Sequence, residues 1–121
     1  MLLAALLLQT AAPEGATLVF FDWGKSEVTR DGAATLDAFA AELAANPSPI
    51  VITGHSDRSG PAATNRRSSL ARARIVAGYL AGNGVARSSM TVAGRGEDAP
   101  LIATEDGVRE VQNRRVEITR R

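Results

Sequence analysis

Residues 50–60 read IVITGHSDRSG. Ile50, Val51 and Ile52 form a short apolar, β-branched run that Gly54 closes, the pattern of a buried strand. Polar residues then arrive together: His55, Ser56, Asp57 and Arg58, before Ser59, Gly60 and Pro61 turn the chain. A buried strand thus delivers an imidazole, a hydroxyl, a carboxylate and a guanidinium to its end, and His55 is the one histidine in the chain. The flanking elements decide what kind of sheet holds it.

Downstream, Leu70, Ala73, Val76, Ala77 and Leu80 recur at helical spacing, so a long helix is predicted from about Ala62 to Ala81. The GNG of 82–84 stops it, because glycine and asparagine tolerate a left-handed cap. Met90–Ala93 reads as a strand, GRGEDAP (94–100) as a polar loop, Thr104–Asn113 as a region holding a short helix, and RRVEI (114–118) as a last strand. Upstream, Asn46 to Pro49 break the chain after a helix that Thr29 caps and that buries Leu36, Phe39, Ala40 and Leu43. TLVFF (17–21) is the first strand and Asp22–Glu27 a loop. The order β-α-β-α-β-(α)-β predicts an α+β fold, a mixed sheet covered by helices.

The length, 121 residues, fits one domain, and with aromatics at 4% the core must be built from Leu, Ile, Val and Ala. Fourteen basic residues against thirteen acidic ones give no global pull towards nucleic acid or anionic lipid. The absence of cysteine excludes disulfides, thiolate metal sites and a cysteine nucleophile. Leu2–Leu8 is too short to span a bilayer, which takes about 20 apolar residues. Residues 1–12 read as a signal peptide cut near Ala12, or as a truncated N-terminal segment.

His55, Ser56 and Asp57 hold the residue types of a hydrolase, but consecutive positions on an extended strand point to opposite faces and do not converge in series. The expected role of His55 is structural: a half-buried histidine bonded to a backbone carbonyl. No catalytic residue, cofactor or metal ligand is assigned, since neither a second histidine nor a carboxylate cluster accompanies it. GRG at 94–96 lacks a following G-K-[ST], and Glu97 and Asp98 would repel phosphate. On the long helix Asn65, Ser69 and Arg72 share one polar stripe near its start. Asp57 and Arg72 can therefore face one space, the acid for an ammonium and the guanidinium for a carboxylate. From composition alone a plain Asp57–Arg72 salt bridge, or two solvated surface charges, is the favoured reading.

GHSDRSG, Asn65, Ser69, Arg72–Ala73 and NRRVEI (113–118), in this order, resemble the OmpA-like C-terminal domain, the peptidoglycan-binding module shared by outer-membrane protein A, the peptidoglycan-associated lipoprotein and MotB. FFDWGKSEV (20–28) resembles the family's first strand and its F-D-x-x-x-S turn, and the likeness extends over about residues 17–119 of a domain assigned to 17–121. It implies noncovalent binding of the diaminopimelate of the stem peptide, anchoring the protein or envelope to the wall, without enzymatic activity. By the same resemblance the family's key acid falls on Asp57, its key arginine on Arg72 and its pocket asparagine on Asn65. Its first-turn motif falls on Asp22 and Ser26 and its last on Asn113 and Arg114, with Ser56 adding a hydrogen bond to the wall. The implied location is the periplasm of a Gram-negative envelope, with peptidoglycan as partner, a homodimer and outer-membrane association as further options, and no nucleic acid. The alternative is a protein-interaction module of the same fold that has lost wall binding. Two departures stand out: Ser68 occupies the family's leucine position, predicting an under-packed or solvent-facing spot, and Trp23–Gly24 replace polar turn residues, predicting a lost pocket-edge contact.

Overall fold

The computed structural model describes residues 12–121. The signal-peptide reading of residues 1–12 lies, apart from Ala12, outside them. The chain forms strand β1 (Thr17–Phe20), helix α1 (Arg30–Ala45), β2 (Ile50–Gly54), helix α2 (Ala62–Gly82), β3 (Met90–Gly94) and β4 (Arg115–Arg120). The sheet order is β1-β4-β2-β3. The last strand enters between the first two, antiparallel to both, while β3 lies parallel to β2 across the α2 crossover. The sheet is therefore mixed, as predicted.

Alternation along the strands sends Val19, Ile50, Ile52, Val116 and Ile118 to one face. They meet Leu36, Phe39 and Leu43 of α1 and Ala73, Val76, Ala77 and Leu80 of α2 in one core. Each such Leu or Ile contributes about 1.5–3 kcal/mol by leaving water. Thr29 caps α1 as the sequence predicts, its Oγ1 accepting the Gly32 amide at 3.0 Å.

Two glycines fix where α2 crosses the strand ends. A Cβ on Gly54 would fall 1.8 Å from the Ser69 carbonyl oxygen, and one on Gly94 2.6 Å from the Leu70 nitrogen. Without side chains there, helix backbone rests directly on the ends of β2 and β3, and residues 65–72 are held over the loop that follows β2.

Several boundaries differ from expectation; α2 and β3 each run one residue further, to Gly82 and Gly94. The strand β1 stops at Phe20, although the Phe21 amide still donates to the Arg114 carbonyl at 2.9 Å and its ring is buried. The last strand starts at Arg115 and runs on to Arg120. The helix predicted within 104–113 shrinks to a 3-10 turn, Val111–Asn113. Gly107 has φ +85°, and long-range bonds hold the segment instead: the Gly107 amide to the Arg58 carbonyl at 2.7 Å, and the Asn113 side chain to both backbone groups of Ile102 at 2.9 and 2.8 Å. Among the described residues no helix is long and apolar enough to cross a membrane.

Candidate functional site

A cleft of about 300 Å³ opens at the end of β2. The turn after β1 supplies Trp23, Gly24, Lys25 and Ser26; the loop after β2 supplies Ser56, Asp57, Ser59 and Gly60. Helix α2 adds Thr64, Asn65, Ser68 and Arg72, and Arg114 arrives just ahead of β4.

Asp57 is only 3% exposed, and both its oxygens are occupied. Oδ1 accepts the Ser59 amide at 3.1 Å and the Ser59 hydroxyl at 2.6 Å. Oδ2 accepts the Glu110 amide at 3.1 Å and Arg114 Nη1 at 2.8 Å. A carboxylate offers roughly four lone-pair sites, so Asp57 is saturated. Burial pushes its carboxyl up, but these bonds outweigh burial and hold it below the ordinary carboxylate value.

Arg114, not Arg72, is thus the ion-pair partner of Asp57. Its Nε also donates to the Phe21 carbonyl at 3.0 Å. Arg72 is 3% exposed and donates from Nε to the Lys25 carbonyl at 3.0 Å, with its guanidinium carbon 5.5 Å from the centre of the Phe21 ring. It forms no ion pair among the described residues, so the direct Asp57–Arg72 salt bridge is not made. Burial lowers its pKa, the nearby Arg114 charge lowers it further, and Asp57 partly offsets both. The cleft therefore sets two guanidinium groups beside one carboxylate, an excess of positive charge suited to an anion.

The other residues sort by position. Asn65 lines the cleft, with its amide donating to the Gly60 carbonyl at 2.9 Å and to Glu97 at 3.0 Å, which braces the loop. Ser56 lines it too, and its hydroxyl donates to the Asp57 carbonyl at 3.0 Å rather than to His55. Ser26 joins the wall. Ser69, from the same helical stripe, lies behind it and accepts the Gly96 amide at 2.8 Å. Asp22 is exposed on a different depression, alongside Thr29, Arg30 and Asp31. Asn113 is buried in its clamp on Ile102.

His55 corrects the expectation of a half-buried residue bonded to a carbonyl. It is 2% exposed, and its Nε2 lies 3.3 Å from Glu117 Oε1 without the alignment of a hydrogen bond. Arg115 completes this second buried group, with Nη2 2.7 Å from Glu117 Oε2 and donating to the Ala99 carbonyl at 2.9 Å. Burial pushes the Glu117 carboxyl up; His55 and Arg115 outweigh it and bring it down. Among the described residues no group of His, Asp and Glu is arranged to hold a metal.

Sequence reasoning missed several contributors. Trp23 supplies a wall instead of losing an edge, and Ser68 is half-buried against the cleft. Ser59 and the Glu110 amide are the unforeseen partners of Asp57; a serine two residues after an acid is a recognisable turn signal, whereas a backbone amide from a distant loop leaves none.

The sequence model of the OmpA family matches residues 20–114, which include every element of the cleft. The chain belongs to the OmpA family. This OmpA-family domain is 30% identical over 112 residues to the peptidoglycan-associated lipoprotein of Pseudomonas putida, covering 93% of this chain and 68% of that protein. It is 36% identical to an outer membrane protein of Gluconacetobacter diazotrophicus, covering 88% of this chain but only 30% of that one. Its fold matches the crystal structure of the peptidoglycan-associated lipoprotein from Burkholderia pseudomallei with a TM-score of 0.80 at 27% identity, covering 87% of this chain and 90% of that one.

Proposed function

We propose that this OmpA-family domain binds peptidoglycan noncovalently, taking the zwitterionic side-chain end of diaminopimelate into the cleft at the end of β2, and anchors the protein or envelope to the wall. The observation that carries the reading is Arg72: a buried guanidinium on the cleft wall, held through Nε, with no ion pair among the described residues and with Arg114 beside it. A carboxylate seated there would relieve the repulsion of the two cations and form charge-assisted bonds, each worth about 1.5–3 kcal/mol. The names of the relatives, two of them peptidoglycan-associated lipoproteins, support the same partner. In this reading the domain works in the periplasm of a Gram-negative envelope, associated with the outer membrane, as a binding module rather than an enzyme.

Asp57 has two roles in this scheme. It holds Arg114, Ser59 and the Glu110 backbone around the cleft, and it receives the ligand's ammonium only if one bond yields. The Ser59 hydroxyl is the group that can yield, because it rotates about one bond while the amides and Arg114 are fixed by their own frameworks. A single site of this kind is weak, and a homodimer would add avidity on a polymer that repeats the ligand.

Sedimentation with purified diaminopimelate-type peptidoglycan tests the proposal. Wild type should pellet with the wall and be released by free diaminopimelate. Arg72→Ala, shown folded by circular dichroism, should stay in solution, as should Asp57→Ala. A folded wild type that stays soluble would overturn the reading and favour a protein-interaction module of the same fold.

A further inference from the structure

The cleft is polar almost throughout, and among the described residues Trp23 is the one large apolar side chain on its wall. The residue is 48% exposed, which is unusual for the only tryptophan of a chain this size. It is nevertheless held in two ways. Its Nε1 donates to Ser59 Oγ at 3.1 Å, and the Arg109 guanidinium carbon lies 3.4 Å from the ring centroid. Arg109 does not line the cleft, so the stack braces the indole from outside it. A large flat side chain already fixed before binding loses little freedom when a ligand settles against it.

Position gives the ring its role. Ser59, which accepts the indole N–H, itself donates to Asp57 Oδ1 at 2.6 Å. The indole edge is therefore one residue removed from the acid that the proposed binding mode assigns to the ligand's head group. A ligand whose zwitterion sits between Asp57 and Arg72 carries behind it a chain of methylenes, and every other lining side chain there is polar or absent. Methylenes confined among hydroxyls, amides and charges gain nothing from leaving water; against an indole face they do.

We infer that Trp23 is the platform for the aliphatic spacer of the ligand, and that it makes the site select a zwitterion carried on a methylene chain over the bare amino-acid head group. This rests on the zwitterion reading of the cleft, and the test separates the two. The single tryptophan reports its own contact. Affinities for meso-diaminopimelate and for D-alanine, which has the head group without the spacer, are measured on the intact chain and its variants by amide chemical shifts, with tryptophan emission as a second readout in wild type.

Wild type should prefer diaminopimelate by about tenfold, the effect expected when a few methylenes are partly covered. Diaminopimelate should change the emission more than D-alanine does at equal occupancy. In Trp23→Ala the preference should collapse to below about threefold, while Trp23→Phe, which keeps a ring and loses the N–H to Ser59, should retain most of it. Equal affinities of wild type for both ligands, or an unchanged preference in Trp23→Ala, would overturn the platform and leave the zwitterion site standing. A preference lost equally in Trp23→Phe would also overturn it, because the indole would then act through Ser59. If wild type binds neither ligand, the zwitterion reading falls and the platform with it.

Discussion

Two buried acids pair with arginine in this domain, and they end differently. Glu117 sits among Arg115 and His55, and Arg115 also reaches the Ala99 carbonyl; none of the three lines the cleft, and neither ring nitrogen of His55 is hydrogen-bonded. Asp57 is about as buried and has both oxygens fully bonded, but its arginine stands next to another that pairs with no acid among the described residues. The first arrangement neutralises itself and serves the fold. The second leaves positive charge facing a cleft, and stability alone gives no reason to bury it there. Buried charge by itself does not mark a site; a buried charge with no internal partner does.

The comparison can be broken most forcefully at Glu117. Glu117→Ala leaves Arg115 buried without its carboxylate, a loss of about 3–5 kcal/mol for a pair of this kind. Chemical denaturation should register it, while the fraction still folded should pellet with peptidoglycan as wild type does. Arg72→Ala should give the reverse pattern, with wall binding lost and stability lowered by less. Equal stability losses in the two variants would erase the distinction.

Acid titration sharpens it. Both Asp57 and Glu117 have carboxyls lowered in the folded state. A depressed acid contributes stability above its unfolded value, near 3.9 for Asp and 4.3 for Glu, and that contribution is lost as pH falls through the folded value. Urea midpoints should therefore be flat from pH 7 to about 5 and fall below about pH 4. Asp57→Asn should make the acid side of that curve shallower, and wall binding by wild type should fade over the same acid range. The smallest effect belongs to the surface: Arg66 and Asp98 meet at 2.9 Å with side chains 62% and 54% exposed. Arg66→Ala should move stability by less than about 1 kcal/mol and leave sedimentation unchanged.

Local features of the fold were legible because their causes are local. Thr29 caps the first helix, the break at 46–49 ends it, and the apolar spacing from Leu70 to Leu80 sets the buried face of the second, though Leu70 itself is only half-buried. The insertion of the last strand between the first two depends on pairings such as Ile52 with Ile118, which no local pattern encodes. Asp57, Arg72, Asn65, Ser56 and Arg114 do share one cleft, as the motifs implied. Which arginine takes the acid was hidden, since Arg114 lies 57 residues from Asp57. Asp22 parts from Ser26 because the turn between them passes through Gly24 at φ +71° and carries the two to different depressions. The helix read into 104–113 failed because its bonds run to Arg58 and Ile102 rather than along itself.

The contact made at Gly54 and Gly94 has a consequence for how the cleft could change. Main chain meets main chain there, so the jaw formed by α2 has no rotamer to adjust and cannot slide without carrying two strands with it. Its opposite jaw, Trp23 to Ser26, is held through side chains instead: the Trp23 indole on Ser59 and Arg109, and Arg72 on the Lys25 carbonyl. The domain is built like a vice with one fixed and one adjustable face, and new ligand preferences should be sought on the adjustable one.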